Sequence, residues 1–136
     1  MAEQTYKIEI SSDPANLITI EEFINYIAVE TNLPEARLPG ILLAVTEATT
    51  NAIIHANKKD VNKKVVIEVV DNQSEVMIMV TDEGSGFDPD KIPDPTQPEN
   101  LLKDSGRGLY LMRVYADELK YEISPAGTKT ILVIKH

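Results

Sequence analysis

The sequence lacks several features that would restrict its class at once. Its 136 residues include no cysteine and no tryptophan. The absence of cysteine excludes disulfides and thiolate metal sites, and it fits a reducing compartment, for which a cytoplasmic location is the default expectation. A chain of this length has the size of one domain and can still bury a real hydrophobic core.

The sequence also contains little that resembles a leader segment and few positively charged residues. The first residues have neither a basic start nor an apolar run, and no later stretch is long enough to span a bilayer. Secretion and membrane insertion are therefore not expected. The formal net charge is −9, whereas nonspecific binding to a phosphate backbone depends on clustered Lys and Arg. Direct nucleic-acid binding is not expected either.

The sequence does contain a succession of helix and strand patterns without internal repeats. Alternating or β-branched runs predict strands, and apolar residues at helical spacing predict helices. The predicted segments are a strand at 6–10, helices from 14 to about 30 and from 34–39 to about 56, strands at 65–70 and 75–81, a helix at 109–119, and strands at 120–124 and 129–135. This order predicts an α+β fold, a two-layer α/β sandwich with about three helices on one face of a mostly antiparallel sheet.

The first candidate cluster lies on the second predicted helix. Glu47, Asn51 and His55 are spaced four residues apart, so their side chains are expected to stack along one helix face. Such a polar stripe is more often a solvated surface than a site. Three small residues flank it, namely Ala44, Ala48 and Ala52. Small side chains let another group approach the helix closely, which favours a site.

The second candidate cluster, Asp82 to Gly86, follows the predicted strand at 75–81 and reads Asp-Glu-Gly-Ser-Gly. Glycines at a strand end let a ligand approach the backbone, and the Asp82 carboxylate can accept hydrogen bonds from an amine such as that of adenine. An ordinary turn has a similar composition. This segment alone therefore leaves both a turn and a binding site open.

The third candidate cluster, Ser105 to Met112, opens the third predicted helix with glycines at 106 and 108. Glycines at a helix start expose backbone N–H groups at the positive end of the helix dipole, which can bind phosphate without many lysines. An acidic chain that binds an acidic nucleotide needs such local compensation. Arg107 adds a positive charge there, although a plain surface arginine is the alternative interpretation.

The segment between the second and third clusters is rich in proline and has little periodicity. A loop of that length between two binding elements is more often a functional lid than a passive tether. We therefore expect a nucleotide lid at about 88–105, within a single domain that spans residues 1–136.

Taken together and in this order, the three clusters resemble the nucleotide-binding boxes of the GHKL ATPases, a superfamily that includes gyrase-type topoisomerases, heat-shock chaperones, histidine kinases and mismatch-repair ATPases. Over its whole length the chain resembles the smallest branch, the anti-sigma-factor serine/threonine kinases of bacterial partner-switching systems. The resemblance implies the Bergerat-type fold of these ATPases, with ATP and Mg²⁺ as cofactors.

The resemblance also implies a role for each site residue. Glu47 would act as general base toward an attacking hydroxyl, Asn51 would help to hold Mg²⁺, and Asp82 would read the adenine amine. Five further residues would contact the nucleotide, the first two at its adenine end and the others at its phosphates: Gly84, Gly86, Gly106, Arg107 and Gly108. These roles agree with phosphoryl transfer, which needs positioning, charge neutralisation by a metal, and a group that orients or deprotonates the nucleophile.

The two histidines are not expected to take part in the chemistry. Histidine kinases carry their phosphoacceptor on a dimerisation helix outside the ATP domain, and no such helix is found in this sequence. His55 is therefore interpreted as a packing or hydrogen-bonding residue of its helix. His136, the last residue, is expected to be disordered or part of a tag.

The resemblance further implies protein partners. They are an anti-anti-sigma (antagonist) protein as the substrate, a sigma factor, and a second copy of the chain, since the family commonly dimerises. Partner-facing surfaces in the family often include a basic residue on the first helix, but no Lys or Arg occurs between Lys7 and Arg37. If the partner is a sigma factor, its contacts must differ from the familiar pattern.

The leading hypothesis is thus a protein serine/threonine kinase whose nucleotide state decides which partner it holds. One alternative is a noncatalytic module that uses ATP only to order the lid and so gate the binding of a protein. Another is a catalytic domain cut from a sensor histidine kinase. It is disfavoured because the sequence starts and ends with complete predicted strands.

Overall fold

The described strands form one antiparallel sheet. The computed structural model describes residues 3–84 and 104–136, in the second range with the side chains from Tyr110 onward. The strands are β1 Gln4–Ser11, β2 Lys64–Asp71, β3 Glu75–Thr81, β4 Glu118–Ser124 and β5 Gly127–Lys135. Their order in the sheet is β1-β2-β3-β5-β4, and each neighbouring pair is antiparallel.

The helical layer packs on one face of this sheet. Its helices are α1 Leu17–Glu30, α2 Leu38–Thr50 and α3 Asp104–Tyr115; 3₁₀ turns precede the first two, at Pro14–Asn16 and Glu35–Arg37. Alternate residues of the central strands are buried and join the apolar stripes of the helices in a single core. Within the described ranges, no helix combines the length and hydrophobicity needed to cross a membrane.

The predicted fold class is confirmed, because the element order and the antiparallel sheet agree with it. The alternation that predicted the strands reflects burial of one face. In β2, Val65, Ile67 and Val69 are fully buried against the helices, while Val66 and Glu68 are half-buried on the other face.

The boundaries of the third helix were predicted wrongly. It begins at Asp104 and ends at Tyr115, rather than spanning 109–119. The apolar periodicity starts only at Leu109, so it gave no signal for the first turn. At the other end, the Asp117 N–H donates to the Val133 carbonyl at 2.8 Å, which draws the chain into β4 before the predicted helix end.

The second helix also differs from its prediction. It is α-helical only to Thr50 and continues to Ala56 as a π-helical turn, Asn51–Ala56. The expectation that His136 is disordered was wrong. Its backbone N–H donates to the Ser74 carbonyl, and its Nε2 lies 3.0 Å from Oδ1 of Asp71. Both contacts hold the last residue against the β2–β3 hairpin.

The antiparallel order gives the sandwich two distinct ends. At one end β1 and β3 finish, β2 begins and β4 turns into β5; we call it the Asp82 end, after the residue that follows β3. At the opposite end β1 begins, β2 turns into β3 and β5 finishes; we call it the Asp71 end, after the last residue of β2.

Candidate functional site

The helix that carries the first cluster runs toward the Asp82 end. Before α2, Arg37 donates to the carbonyl of Lys135 at the Asp71 end. After the π-helical turn, Asn57 accepts a hydrogen bond from Glu83, next to Asp82. The end of α2 therefore lies beside the segment that follows β3, and the first and second clusters meet.

The third cluster belongs to a helix that runs in the opposite direction. The last residue of α3, Tyr115, accepts a hydrogen bond from Arg37 at the Asp71 end, at 3.4 Å. The start of α3, which contains Gly106, Arg107 and Gly108, therefore points toward the Asp82 end. Gly86 and the predicted lid at 88–105 lie outside the described residues, except that Asp104 and Ser105 open α3.

Glu47 and Asn51 lie where α2 ends, and both side chains are half-buried. The Asn51 N–H donates to the carbonyl oxygens of Glu47 and Ala48. Because α-helical bonding thus extends to Asn51, the two side chains share one face of the helix, one turn apart. The structure therefore presents a carboxylate and an amide side by side at the Asp82 end.

The helix continues past Asn51 as a π-helical turn that contains His55. Its signature is a hydrogen bond from the Asn57 N–H to the Ala52 carbonyl, five residues earlier, at 2.9 Å. The side chain of His55 is exposed. The packing interpretation of His55 is therefore wrong, and its hydrogen-bonding role stays a prediction. Single π-helical turns are frequent at functional sites.

Asp82 is a buried carboxylate with one oxygen already engaged. Its Oδ1 accepts the N–H groups of Gly84 at 2.9 Å and Thr128 at 3.1 Å, whereas Oδ2 accepts none among the described residues. Burial raises the pKa of Asp82; these two N–H groups and the positive charge of Lys63 oppose the shift. Oδ2 is therefore an acceptor that a ligand amine can use.

Two glycines allow the close packing around Asp82. A side chain on Gly84 would come within 2.8 Å of the Ala56 carbonyl at the end of the π-helical turn. A side chain on Gly127 would overlap with the carbonyl of Asp82, and Gly127 has a φ of +153°. Gly84 was predicted as a site residue, whereas Gly127 was read only as part of a hairpin turn.

Asn57 is a buried residue whose role the sequence did not reveal. Its Nδ2 donates to Oγ of Ser12 at 2.9 Å and to the Lys64 carbonyl at 3.1 Å, while its Oδ1 accepts the Glu83 N–H at 2.9 Å. The amide thereby ties β1, β2 and the Asp82 segment to the end of the helix. Asn57 directly follows the second predicted helix, and this position was the only feature of the sequence that set it apart.

Thr128 is a second residue that sequence reasoning missed. It is only 1% exposed, and its Oγ1 has no hydrogen-bond partner among the described residues. An unpaired buried hydroxyl is costly. Its backbone N–H donates to Oδ1 of Asp82, so the residue itself adjoins the carboxylate. A pocket of about 260 Å³ opens here, between the end of β3 and the β4–β5 turn.

Comparison with known proteins agrees with this arrangement. The family model described as a histidine kinase-like ATPase domain matches residues 10–134. The chain belongs to the histidine kinase-like ATPase family. Its match runs from the end of β1 to the end of β5, and therefore includes every described residue of the candidate site.

Curated relatives of this histidine kinase-like ATPase carry two names. It is 28% identical over 122 residues to serine-protein kinase RsbW of Bacillus subtilis (strain 168), covering 85% of this chain and 76% of that protein. It is 38% identical over 100 residues to anti-sigma F factor of Clostridium perfringens (strain ATCC 13124), covering 70% of each. Both alignments extend over more than two thirds of the relative.

Solved structures support the fold of the ATPase. The RsbU and RsbW domains of a Mycobacterium tuberculosis protein match with a TM-score of 0.70 at 17% identity, covering 97% of this chain and 32% of that one. A histidine kinase domain from Erythrobacter litoralis matches with a TM-score of 0.59 at 22% identity, covering 93% and 61%. The chain thus spans about a third of the first structure's length.

Proposed function

We propose that this chain is an ATP-dependent protein serine/threonine kinase that acts as an anti-sigma factor and phosphorylates an anti-anti-sigma protein. The observation that carries the proposal is the meeting of Glu47 and Asn51, the Asp82 segment and the start of α3 at one end of the sandwich. Relatives named serine-protein kinase and anti-sigma factor support the same activity.

The adenine end of the nucleotide is assigned to the second cluster. Oδ2 of Asp82, which accepts no hydrogen bond from the described residues, would accept the adenine amine, and the hydroxyl of Thr128, buried without a partner among those same residues, is a further polar group of this segment. Gly84 keeps the segment against the π-helical turn. Gly86 remains assigned to this end by resemblance.

The phosphate end is assigned to the first and third clusters. Backbone N–H groups at a helix start bind phosphate, and Gly106, Arg107 and Gly108 would provide this start. Among residues 3–84 and 104–136, no three acidic or histidine side chains form a metal site. That fits Mg²⁺, which usually takes one or two protein ligands together with substrate phosphates. Asn51 would be its protein ligand, and the bound ion would neutralise phosphate charge.

Glu47 is assigned the role of general base. It would accept the proton of the attacking serine or threonine hydroxyl as the oxygen bonds to the γ-phosphorus and ADP leaves. A carboxylate one helical turn from the metal ligand is suitably placed for this, because nucleophile and phosphate must be in line.

We also propose a location and partners for this kinase. The location is the cytoplasm, where ATP and the transcription machinery are found. Its partners are the antagonist protein and a sigma factor, and a homodimer is part of the proposal. The proposed unit is a single domain over 1–136 with a nucleotide lid at about 88–105, most of which lies outside the described residues.

The activity can be tested by incubating the purified protein with labelled ATP and candidate antagonist proteins, chosen from those encoded beside it. We expect transfer of label to a serine or threonine of the antagonist. Glu47→Ala should lower the rate by roughly 10²- to 10⁴-fold, the usual contribution of a general base, without loss of ATP binding measured by calorimetry.

A matched control is Glu68→Ala, since Glu68 is also half-buried but lies on the face of the sheet away from the helices. It should retain full activity. Binding of ATP without transfer to any antagonist, with Glu47→Ala indistinguishable from the wild type, would instead favour the noncatalytic binding module.

A further inference from the structure

A cluster at the Asp71 end ties the last turn of α3 to the rest of the fold. Nη1 of Arg37 lies 3.0 Å from Oδ2 of Asp117 and donates to the Lys135 carbonyl at 3.3 Å, while Nη2 donates to the Tyr115 carbonyl at 3.4 Å. The same Oδ2 accepts the Lys135 N–H at 2.7 Å. One guanidinium thus joins α3, β5 and the α3–β4 junction.

This arrangement is suited to arginine and not to lysine. A planar guanidinium presents several donors in a fixed fork, whereas an ammonium is a point charge. A cation is also favourable at a helix C-terminus, where the carbonyl of Tyr115 ends α3. The Lys135 N–H and then the Arg37 guanidinium lower the pKa of Asp117, so its carboxylate is charged at neutral pH and available to this pairing.

A second contact holds the same turn of α3. The ring of Tyr115 lies directly against the backbone of Gly40 in the first turn of α2, so that a side chain at Gly40 would overlap with the ring. Because Gly40 has no side chain, the ring packs directly on the backbone of α2. This contact fixes the position of α3 relative to α2 at this point.

Both contacts lie far from the proposed phosphate end, but rigid helices transmit their effect. The ten steps along the helix from Gly40 to Thr50 span about 15 Å, and the ten from Tyr115 back to Ser105 span the same length at about 1.5 Å per residue. Since α2 and α3 run in opposite directions, fixing Tyr115 on Gly40 sets where the start of α3 lies along the end of α2.

We infer that Arg37 is a positioning residue for the phosphate end of the nucleotide site, acting by anchoring the last turn of α3 and so placing its first turn beside Glu47 and Asn51. The inference rests on the proposed function. It predicts different effects at the two ends of the ligand. Binding of adenine at Asp82 depends on β3 and β5, whereas binding of the phosphates depends on α3.

The test compares the affinities of Mg-ATP and of adenosine, measured by calorimetry, for the wild type, Arg37→Gln and Arg37→Lys. We expect Arg37→Gln to weaken Mg-ATP about tenfold, as is usual when a supporting residue is lost, and to leave adenosine unchanged. Arg37→Lys keeps the charge without the fork, so it should fall between the wild type and Arg37→Gln. A purely structural role would weaken both ligands equally.

The matched control is Lys120→Gln, which removes an exposed ion pair with Glu118 on β4 and should change neither affinity. If circular dichroism shows that Arg37→Gln does not fold, Arg37→Lys and Asp117→Asn test the inference in its place. Each should lose affinity for Mg-ATP and keep its affinity for adenosine. Equal losses for both ligands, or none, in the variants that fold would overturn the inference.

Failure of the proposed function has a different outcome. In that case the wild type binds neither Mg-ATP nor adenosine, and the inference falls with it. If the wild type binds both, and the ratio of the two affinities is the same in the Arg37 variants, the inference alone is wrong and the nucleotide site of the proposed function stands; the transfer of label to an antagonist then tests the kinase activity separately.

Discussion

At the scale of single residues, the Asp82 carboxylate is buried after β3, and burial raises its pKa although two backbone N–H groups donate to it. A raised pKa means that this group contributes most to stability below its unfolded-state pKa, near 3.9. That contribution is lost as the pH rises through the folded-state pKa. Ionisation of Asp82 therefore lowers the stability of the fold rather than adding to it.

Asp82→Asn should abolish ATP binding without lowering stability. Asparagine keeps an oxygen for the N–H groups of Gly84 and Thr128, but it places an amide donor where the adenine amine needs an acceptor. We expect the melting temperature at pH 7 to equal or exceed that of the wild type, with the difference closing as the pH falls toward 4. Melting curves and calorimetry at several pH values check this. A clear drop in melting temperature at pH 7 would contradict it.

Spacing of four on one helix face, beside small residues, predicted Glu47 and Asn51 as candidates, and the position after a strand predicted Asp82. They did not predict Asn57 or Thr128. The Asn57 amide matters because it bonds to Ser12, 45 positions away in the sequence, and Thr128 because its hydroxyl lies buried with no partner in the part of the chain that the structure describes. Both properties depend on contacts between distant segments, which no local pattern contains.

At the scale of elements, the β4–β5 hairpin brings the start of β5 against the Asp82 segment. The Asp82 N–H donates to the Thr128 carbonyl at 2.9 Å, and the Thr128 N–H returns to the Asp82 side chain. Gly127 makes this approach feasible, since its φ of +153° and its contact with the Asp82 carbonyl both disfavour a side chain.

Gly127→Ala should therefore weaken the fold and the nucleotide site together. The backbone must shift to admit the methyl group, and we expect a loss of roughly 3 kcal/mol in the free energy of unfolding, the upper range for a strained backbone position. Urea denaturation measures it. The exposed neighbour Ala126 gives the control, because Ala126→Ser should change stability little. Equal stability of both variants would show that the close approach is not needed.

The extent of the elements was only partly predictable. The sequence pattern identified the five strands and three α-helices of the described residues, most clearly β2 and β3, in which alternate residues are buried. It failed at the π-helical turn Asn51–Ala56 and in the first turn of α3. Ala52 and Ile53 stay buried within the π-helical turn, so the apolar pattern gave no sign of the wider turn, and the first turn of α3, from Asp104 to Gly108, contains no apolar residue that could extend the pattern.

At the scale of the whole molecule, the Asp82 end joins elements from every part of the chain. In the proposal, a ligand held there contacts the segments after β3 and α2 and the starts of β5 and α3. Binding should therefore stabilise the fold as a unit. The net charge of −9 opposes an anionic ligand elsewhere on the surface.

Saturating Mg-ATP should raise the melting temperature of the whole chain in a single transition. At a free concentration 100 times the dissociation constant, the stabilisation is about 2.7 kcal/mol. Differential scanning calorimetry with and without Mg-ATP measures this shift, and Asp82→Asn is the control that should show none. Two separate transitions, or a shift of the same size in Asp82→Asn, would contradict a common site at the Asp82 end.

The central claim is that one nucleotide occupies the Asp82 end, in contact with all three clusters. A crystal structure with a nonhydrolysable ATP analogue and Mg²⁺ tests it most directly. The account predicts the adenine amine on Oδ2 of Asp82, the metal on Asn51, and the γ-phosphate between the start of α3 and Glu47. An analogue bound elsewhere, or an empty Asp82 end at saturating concentration, would contradict it.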